Sequence, residues 1–547
     1  MTTKLIQRTP SAYEYPLLIK NILQTPLSRA PRQEIVYKDV KRYDYMTLSK
    51  RIGQLANALE NLGIRAGDTV GVMDWDSHRY LECFFAVPMM GAVLHTVNVR
   101  LSHEQVLYTI NHAEDDALLV HSDFLPLVEK LRGAMRTVKN IIVLTDQGPA
   151  PQTSFETAGE YEALLGKSSG DYDFPDFDEN SMATTFYTTG TTGAPKGVYF
   201  SHRQLVLHTL ALTSSMCGQD CQGGVSSGDV YMPLTPMFHV HAWGIPYVAS
   251  LLGVKQVYPG RYMPETILGL IKKEGVTFSH CVPTILHMLL ASPACTNVDL
   301  SGLRIVVGGS ALSRGLFKAA RQKGIDIYAG YGLSETCPVL TLAHLKPHMI
   351  EWNEEEQTNI RCLTGLPIPF VDLRIIDQDG RELPHDGESV GEVVVRAPWL
   401  TQGYLKDSER SEDLWVGGYL RTADIGSIDK EGYLHVIDRM RDAIKTGGEW
   451  ISSLQIEDIL TLHQAVGEAA VVGIHDEIWG ERPCAMVTIK EELKGKVSEQ
   501  ELRAFCQGFV DQGVISKWGV PDRFVIVESI PKTSVGKYDK KEIRIKV

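Results

Sequence analysis

The residues with the plainest chemical potential lie between Tyr187 and Gly197, in the run Tyr-Thr-Thr-Gly-Thr-Thr-Gly-Ala-Pro-Lys-Gly. Thr188, Thr189, Thr191 and Thr192 alternate with Gly190 and Gly193, and Lys196 follows. Glycine lets a backbone turn tightly and come close to a ligand. Consecutive N–H groups on such a turn form a concave anion site. The hydroxyls add donors and Lys196 adds charge, so the run suits a polyphosphate. It is not the Walker loop, because two residues rather than four separate Gly190 from Gly193 and Lys196 does not directly follow a glycine. A surface turn that binds nothing is the competing reading, and the better one for an isolated Thr-Thr-Gly; the full run disfavours it.

Four further constellations follow in order. Gly330-Tyr-Gly-Leu-Ser-Glu-Thr336 offers Tyr331 to stack on a base, Ser334 or Thr336 to bond phosphate, and Glu335 as a hard oxygen ligand for Mg²⁺. Within Gly418–Gly426, Asp424 could accept from ribose hydroxyls. Asp438-Arg-Met-Arg-Asp-Ala-Ile-Lys-Thr-Gly-Gly-Glu-Trp450 and Pro531-Lys-Thr-Ser-Val-Gly-Lys537 complete the set. Each alone also reads as an ordinary polar turn, and Gly447-Gly448 as a helix-entry turn. Pro236-Met-Phe-His-Val-His-Ala-Trp243 brings two imidazoles and two large aromatics together. His239 and His241, two apart, hint at a metal, but no third ligand is near in sequence. Packing of Phe238 and Trp243 in a core is the alternative.

The elements that must position these residues follow an α/β rhythm. Leu48, Ile52, Leu55, Leu59 and Leu62 fall on one helical face, with Thr47 the expected N-cap and Gly63 the expected stop. Strands are expected at Thr69–Met73, Ala92–Val97, Ala117–His121 and Ile141–Thr145, with helices between, which predicts parallel sheet. Residues 146–180 are loose, and no repeat or low-complexity segment is present. Beyond Pro338 the chain becomes strand-rich, with strands at Val371–Ile376, Gly391–Arg396 and Ser427–Ile437 and turns at Asp379-Gly380 and Glu431-Gly432. A smaller α+β unit follows, with helices at Ser453–His463 and Ser498–Asp511 and a final strand and glycine turn over Phe524–Lys537. The polar stretch Asp438–Asp442 between apolar strands suits an exposed hinge. The expected organisation is a large domain over residues 1–437, a hinge over 438–442 and a small domain over 443–547.

Composition narrows the function. The 547 residues exceed one ordinary core, and 44% hydrophobic with 22% charged residues is a soluble globular balance. A net charge of -13 argues against a nucleic-acid partner. Nine scattered cysteines read as reduced cytosolic thiols. The N-terminus lacks a secretory pattern, and the ending Arg-Ile-Lys-Val matches no peroxisomal or ER signal. The longest apolar runs, Cys83–Leu94 and Ala242–Val254, fall short of the ~20 residues of a membrane helix.

Taken in order, the five motifs resemble those of the acyl- and aryl-CoA synthetases of the adenylate-forming superfamily, which includes luciferases and peptide-synthetase adenylation domains. The resemblance runs from about residue 30 to 541. Within it, Pro236–Trp243 and Thr446–Trp450 most resemble bacterial medium- and long-chain fatty-acid CoA ligases. It implies a large N-terminal domain of α/β layers with a β-rich subdomain, and a small mobile α+β C-terminal domain. It also implies ATP, Mg²⁺ and CoA as cofactor and cosubstrates, a small carboxylic acid as partner, and a cytoplasmic homodimer. Carried over by position, Thr188–Lys196 is the phosphate loop with Thr191 near the metal. Gly309, with Ser310, lies on the adenine and substrate side. Gly330, Tyr331, Gly332 and Ser334 hold base and phosphate, and Glu335 holds magnesium. Asp424 and Arg439 contact the ribose, Lys445 and Trp450 close on the nucleotide, and Lys537 is the catalytic lysine. His239 meets the substrate carboxylate, and Trp243 stands at the mouth of an acyl tunnel. Ser334 replaces a commoner threonine and keeps the hydroxyl. Ala329 replaces a polar residue frequent before Gly-Tyr-Gly, and Arg441 stands where lysine or aspartate is usual.

The implied chemistry accounts for these residue types. A carboxylic acid, with pKa about 4, is already ionised at neutral pH and needs no general base. The site must bring one anion to the α-phosphate of another, which calls for cations and donors. The acyl-adenylate then meets the CoA thiol. Other readings are an acid:CoA ligase for a short substituted acid such as methylthio-propionate or for an aryl acid, an adenylation domain loading a carrier protein, and a nucleotide-binding protein without catalysis. The apolar run Gly244–Val254 disfavours the carrier-loading reading, because no aspartate is there to grip an amino group. Lys537 and Glu335 together disfavour loss of catalysis. Gly308-Gly-Ser310-Ala-Leu312 lacks the second glycine of a nucleophile elbow, which sets a serine hydrolase aside.

Overall fold

The structure is a computed structural model and describes residues 3–188, 194–218, 223–446, 449–534 and 536–547, with only the backbone described for Glu449 and Trp450. Two large sheets carry the N-terminal domain. The nine-stranded sheet runs, edge to edge, Leu366–Pro367, Val339–Leu342, Asp326–Gly332, Arg304–Val307, Phe278–Cys281, Val230–Leu234, Lys255–Tyr258, Glu34–Tyr37 and Lys41–Asp44. Its six central strands are parallel and its edges antiparallel. The seven-stranded sheet orders Gly159–Glu160, Asn140–Leu144, Asp115–His121, Thr69–Met73, Val93–Thr96, Met182–Thr188 and Lys196–Ser201, parallel except for the last pair. Thr69–Met73 is buried along its whole length, as a parallel strand covered on both faces must be.

A five-stranded antiparallel sheet follows, built from Asp372–Ile376, Gly391–Arg396, Trp415–Val416, Tyr419–Ile428 and Leu434–Arg439. The expected strand Ser427–Ile437 is therefore a hairpin around Gly432, and its first arm already begins at Tyr419. The C-terminal domain sets Glu449–Ile451, Ile444–Thr446, Gly480–Ile489, Val466–Asp476 and Arg523–Val527 in one sheet. Against it pack the helices Ser453–Leu462, Glu499–Asp511 and Lys540–Lys546. One apolar cluster runs from Ile19 to Leu434, and separate clusters lie within Ile444–Ile543.

Two local expectations are corrected. The helix Tyr45–Asn61 is capped by Asp44, whose carboxylate accepts from the Thr47 N–H and hydroxyl; Thr47 is the recipient of the cap. The stretch Asp438–Asp442 is exposed only in its middle. Asp438 is buried and accepts from the Ser453 N–H at 2.8 Å, and buried Asp442 pairs with Arg544 at 2.9 Å. A carboxylate at a domain junction escapes desolvation only by finding such partners.

Candidate active site

Four adjacent parallel strands end at one place. Val230–Leu234 leads into Pro236–Trp243, Phe278–Cys281 into Pro283 and Thr284, Arg304–Val307 into Gly308-Gly309-Ser310, and Asp326–Gly332 into Ser334 and Glu335. Open parallel sheets take up ligands outside these carboxyl ends. Here the strand ends face the C-terminal domain across a cleft of about 1910 Å³.

Lys537 reaches into this cleft from the C-terminal domain. Its Cε lies 3.2 Å from where a Cβ on Gly309 would sit, and Gly309 has φ +78°. Any side chain at 309 would press on the lysine and strain the backbone, so the glycine is required here. The turn carrying Lys537 is held by polar contacts to the N-terminal domain. Asn98 donates to the Ser534 hydroxyl at 3.1 Å, Arg100 to the Ser534 carbonyl at 3.4 Å, and Thr284 to the Gly536 carbonyl at 3.0 Å. Burial, with Arg439 nearby, pushes the Lys537 ammonium down to about 8 against the pull of Asp424 and Glu335.

Tyr331 and Asp424 meet at another wall. The Tyr331 hydroxyl donates to Asp424 at 2.6 Å, and Arg439, cross-strand from Asp424, approaches it at 3.5 Å. Burial raises the Asp424 carboxyl, while Arg439 and Tyr331 oppose the rise. Asp424 thus presents a buried, oriented acceptor beside an exposed guanidinium. Gly332 is needed for close approach, since a Cβ there would lie 1.8 Å from the Pro338 carbonyl. Gly330, Tyr331, Gly332, Ser334 and exposed Ser310 all line the cleft.

Thr188 and Lys196 are antiparallel partners on the two strands that flank the Gly/Thr run in sequence, and both line the cleft. The Lys196 ammonium stands 4.4 Å from the centre of the Tyr404 ring, and the Tyr404 hydroxyl donates to Glu335 Oε1 at 2.8 Å. Glu335 Oε2 has no hydrogen bond among the described residues. A half-buried carboxylate with one oxygen fixed and the other turned to a cleft that would hold phosphates fits a hard cation such as Mg²⁺, which typically takes one or two carboxylates together with phosphate oxygens and water. Tyr404 and the contacts of Asn98, Arg100 and Thr284 carry no local sequence signal. They become visible only when distant segments meet.

His239 and Trp243 belong to an unusual turn. Val240, His241, Ala242, Trp243 and Gly244 have φ of 48, 54, 48, 59 and 72°, a left-handed turn that costs about 1–2 kcal/mol per non-glycine residue. Buried side chains secure its entry: Asp76 accepts from the Met237 N–H at 2.9 Å and Thr96 donates to the Phe238 carbonyl at 3.0 Å. The turn sends the two imidazoles apart. His241 packs among Phe84, Phe186 and Phe200, while His239 lines the cleft with Lys537. Burial, then Lys537 and Arg100, pushes His239 down to about 3, so it is a neutral imidazole at pH 7. Among the described residues no group of three or more His, Cys, Asp or Glu could hold a metal.

Beside His239 and Lys537 lies a second pocket of about 40 Å³, lined by Val240, Trp243, Val306, Val339 and Leu342 and also by Gly308, Gly309 and the segment Gly330–Ser334. The Trp243 indole lines it, tilted against His280 with ring centres 5.0 Å apart and reaching 3.1 Å from where a Cβ on Gly308 would be.

Of the remaining expected residues, Lys445 is the described one that is not gathered here. Lys445 is exposed on Ile444–Thr446 beside Glu481, whose carboxylate accepts from its N–H at 3.0 Å, and it does not line the cleft. Thr189, Gly190, Thr191, Thr192, Gly447 and Gly448 lie outside the described residues, as does the side chain of Trp450. Eight described cysteines are all free thiols, and among the described residues no helix is long and apolar enough to cross a membrane.

The chain matches the AMP-binding enzyme family over residues 23–405 and the AMP-binding enzyme C-terminal domain over residues 455–537. It is 42% identical over 522 residues to a long-chain-fatty-acid–CoA ligase of Thermus thermophilus, covering 94% of this chain and 92% of the relative. It is 37% identical over 538 residues to a 3-methylmercaptopropionyl-CoA ligase of Ruegeria lacuscaerulensis, covering 97% of each. A medium-chain-fatty-acid–CoA ligase of Ectopseudomonas oleovorans is 34% identical over 513 residues, with 93% and 91% covered. In fold it resembles the anthranilate CoA ligase AuaEII, solved with anthranoyl-AMP, at a TM-score of 0.84 and 24% identity, covering 97% of this chain and 98% of that one.

Proposed function

We propose that this chain, which belongs to the AMP-binding enzyme family and is an AMP-forming acid:CoA ligase, acts on medium- or long-chain fatty acids. The observation that carries the reading is Lys537, a cation brought by the C-terminal domain against Gly309 and beside His239. The substrate carboxylate lies between neutral His239, which donates a hydrogen bond, and the Lys537 ammonium. Lys537 and Lys196 offset the repulsion as a carboxylate oxygen attacks the α-phosphate and pyrophosphate leaves. Asp424 and Tyr331 hold ribose and base, and Ser334 the phosphate. Glu335 and Thr191 would hold Mg²⁺, which when bound would stabilise charge on the pyrophosphate leaving group.

The apolar lining beside His239 supports a hydrocarbon tail, for which Trp243 must turn aside. The small volume of that pocket, which holds about three waters, favours a second reading, a short substituted acid such as methylthio-propionate. Pyrophosphate release with CoA across acids from propionate to palmitate, with 3-methylthiopropionate and benzoate, separates the two. Rates that climb toward laurate support a fatty acid; a maximum at the short thioether acid rejects it.

For CoA to reach the adenylate, Lys537 must withdraw. The polar contacts at Ser534 and Gly536 are of a kind that can be exchanged, and a swing of the domain 443–547 about Asp438–Asp442 would exchange them. Lys445, Trp450 and the Gly447-Gly448 pair then approach the nucleotide and the pantetheine path. A cytoplasmic homodimer completes this reading, supported by the free thiols of the described cysteines for the compartment.

Glu335→Gln should raise the Mg²⁺ concentration for half-maximal acyl-adenylate formation and slow that step, with an unchanged melting temperature. An unaltered magnesium dependence would remove Glu335 from the metal site.

A further inference from the structure

We propose that Tyr404 is a positioning residue for adenylation, its ring holding the Lys196 ammonium apart from Glu335 while its hydroxyl orients the Glu335 carboxylate toward the cleft. The proposal rests on the reading of Glu335 as the magnesium ligand and Lys196 as a phosphate cation.

The segment around Tyr404 is fixed to both partners through its backbone. Tyr404 bridges Val198, and Leu405 donates its N–H to the Gly197 carbonyl at 2.8 Å, so the segment lies beside the strand that leaves the phosphate loop. On its other side Thr401 donates its N–H to the Glu335 carbonyl at 2.9 Å, and its hydroxyl donates to the Tyr199 carbonyl at 3.0 Å. The Ser411 hydroxyl oxygen accepts from the Tyr404 N–H at 2.8 Å, which closes the turn. The side chain therefore has a defined place between the loop's cation and the carboxylate.

Charge gives that place a purpose. Lys196 and Glu335 both line the cleft, and a direct pair between them would consume the cation meant for phosphate and the oxygen meant for metal. Among the described residues the two form no ion pair with each other. The ammonium instead rests on the face of the Tyr404 ring, an attraction that leaves the charge able to bond a phosphate. The phenol donates to Oε1 only, which fixes the carboxylate plane, as the outer partners of metal ligands do.

Two substitutions separate the ring from the hydroxyl. Tyr404→Phe keeps the ring under Lys196 and removes the bond to Glu335; Tyr404→Leu removes both. Mn²⁺ binding is measured by EPR with a non-hydrolysable ATP analogue, beside the Mg²⁺ dependence of adenylate formation and the KM for the acid, with Glu335→Gln as reference. Tyr404→Phe should weaken Mn²⁺ binding and raise the half-maximal Mg²⁺ by about tenfold, the scale of a hydrogen bond to a charged group, and leave the acid KM unchanged. Tyr404→Leu should match this and further weaken analogue binding by about threefold or more, the scale of a lost ring–cation contact. Wild-type Mn²⁺ affinity in Tyr404→Phe, with Glu335→Gln weakened, would overturn the proposal, as would a parallel shift in acid KM. Equal analogue affinity in the Phe and Leu variants would overturn the role of the ring. An unweakened Glu335→Gln would overturn the metal reading beneath it.

Discussion

Lys537→Ala should slow acyl-adenylate formation by about a hundredfold or more, the scale for losing a donor that acts on developing charge. CoA transfer from a supplied acyl-adenylate should survive, because in the proposed mechanism Lys537 meets the reacting atoms only when its turn is docked against Asn98, Arg100 and Thr284. The two half-reactions are measured separately, by pyrophosphate exchange and by thioester formation from the synthetic adenylate; equal loss of both would remove the assigned role. Lys537 also sets a pH dependence. Its ammonium is pushed down to about 8, so the required charged form is complete below that pH and is lost as pH rises through it. The kcat/KM for adenylation should fall above pH 8 in the wild type. In Lys537→Arg the guanidinium stays charged and that fall should vanish.

Trp243→Ala should change chain-length preference more than ATP affinity. The indole lines the pocket beside His239 together with Val306, Val339 and Leu342, so its removal enlarges the space for the acid, while the Tyr331–Asp424 bond is made without it. Each buried CH₂ is worth ~0.8 kcal/mol, so the laurate-to-butyrate ratio of kcat/KM should rise about tenfold, the equivalent of roughly two methylenes. Because an indole deletion in a core costs about 3–5 kcal/mol, Trp243→Phe is measured alongside it and should shift the ratio less, in the same direction. A uniform loss at every chain length, in both variants, would make Trp243 a packing residue only.

Much of this fold could be read locally. Thr69–Met73 is an apolar run between polar flanks, and such a run has few other homes than a buried parallel strand. The helix after Asp44 was legible from its apolar face, but two acceptors three residues apart, Asp44 and Thr47, compete for the cap, and only geometry decides between them. The left-handed turn at Val240–Gly244 was not legible, because a β-branched valine followed by histidine and alanine prefers other backbone regions, and Asp76 and Thr96, distant in sequence, hold it. The site divides in the same way. Lys537, Glu335, Asp424 and His239 sit in motifs whose residue types point to the roles proposed for them, and the fold brings all four to one cleft. Tyr404 sits in a Gly-Tyr turn with no charge or period, and its meaning arises from a contact across the fold. The expectation of an exposed hinge missed the partners of Asp438 and Asp442, since polar residues in sequence do not disclose whether folding will pair them.

The central claim is that a carboxylate oxygen attacks the α-phosphate within this cleft, and an isotope experiment tests it most directly. Decanoate labelled with ¹⁸O in both carboxylate oxygens is converted with ATP and CoA, and the products are weighed by mass spectrometry. AMP carrying one ¹⁸O, decanoyl-CoA keeping the other, and unlabelled pyrophosphate are expected. Unlabelled AMP, or ADP with labelled phosphate, would contradict it.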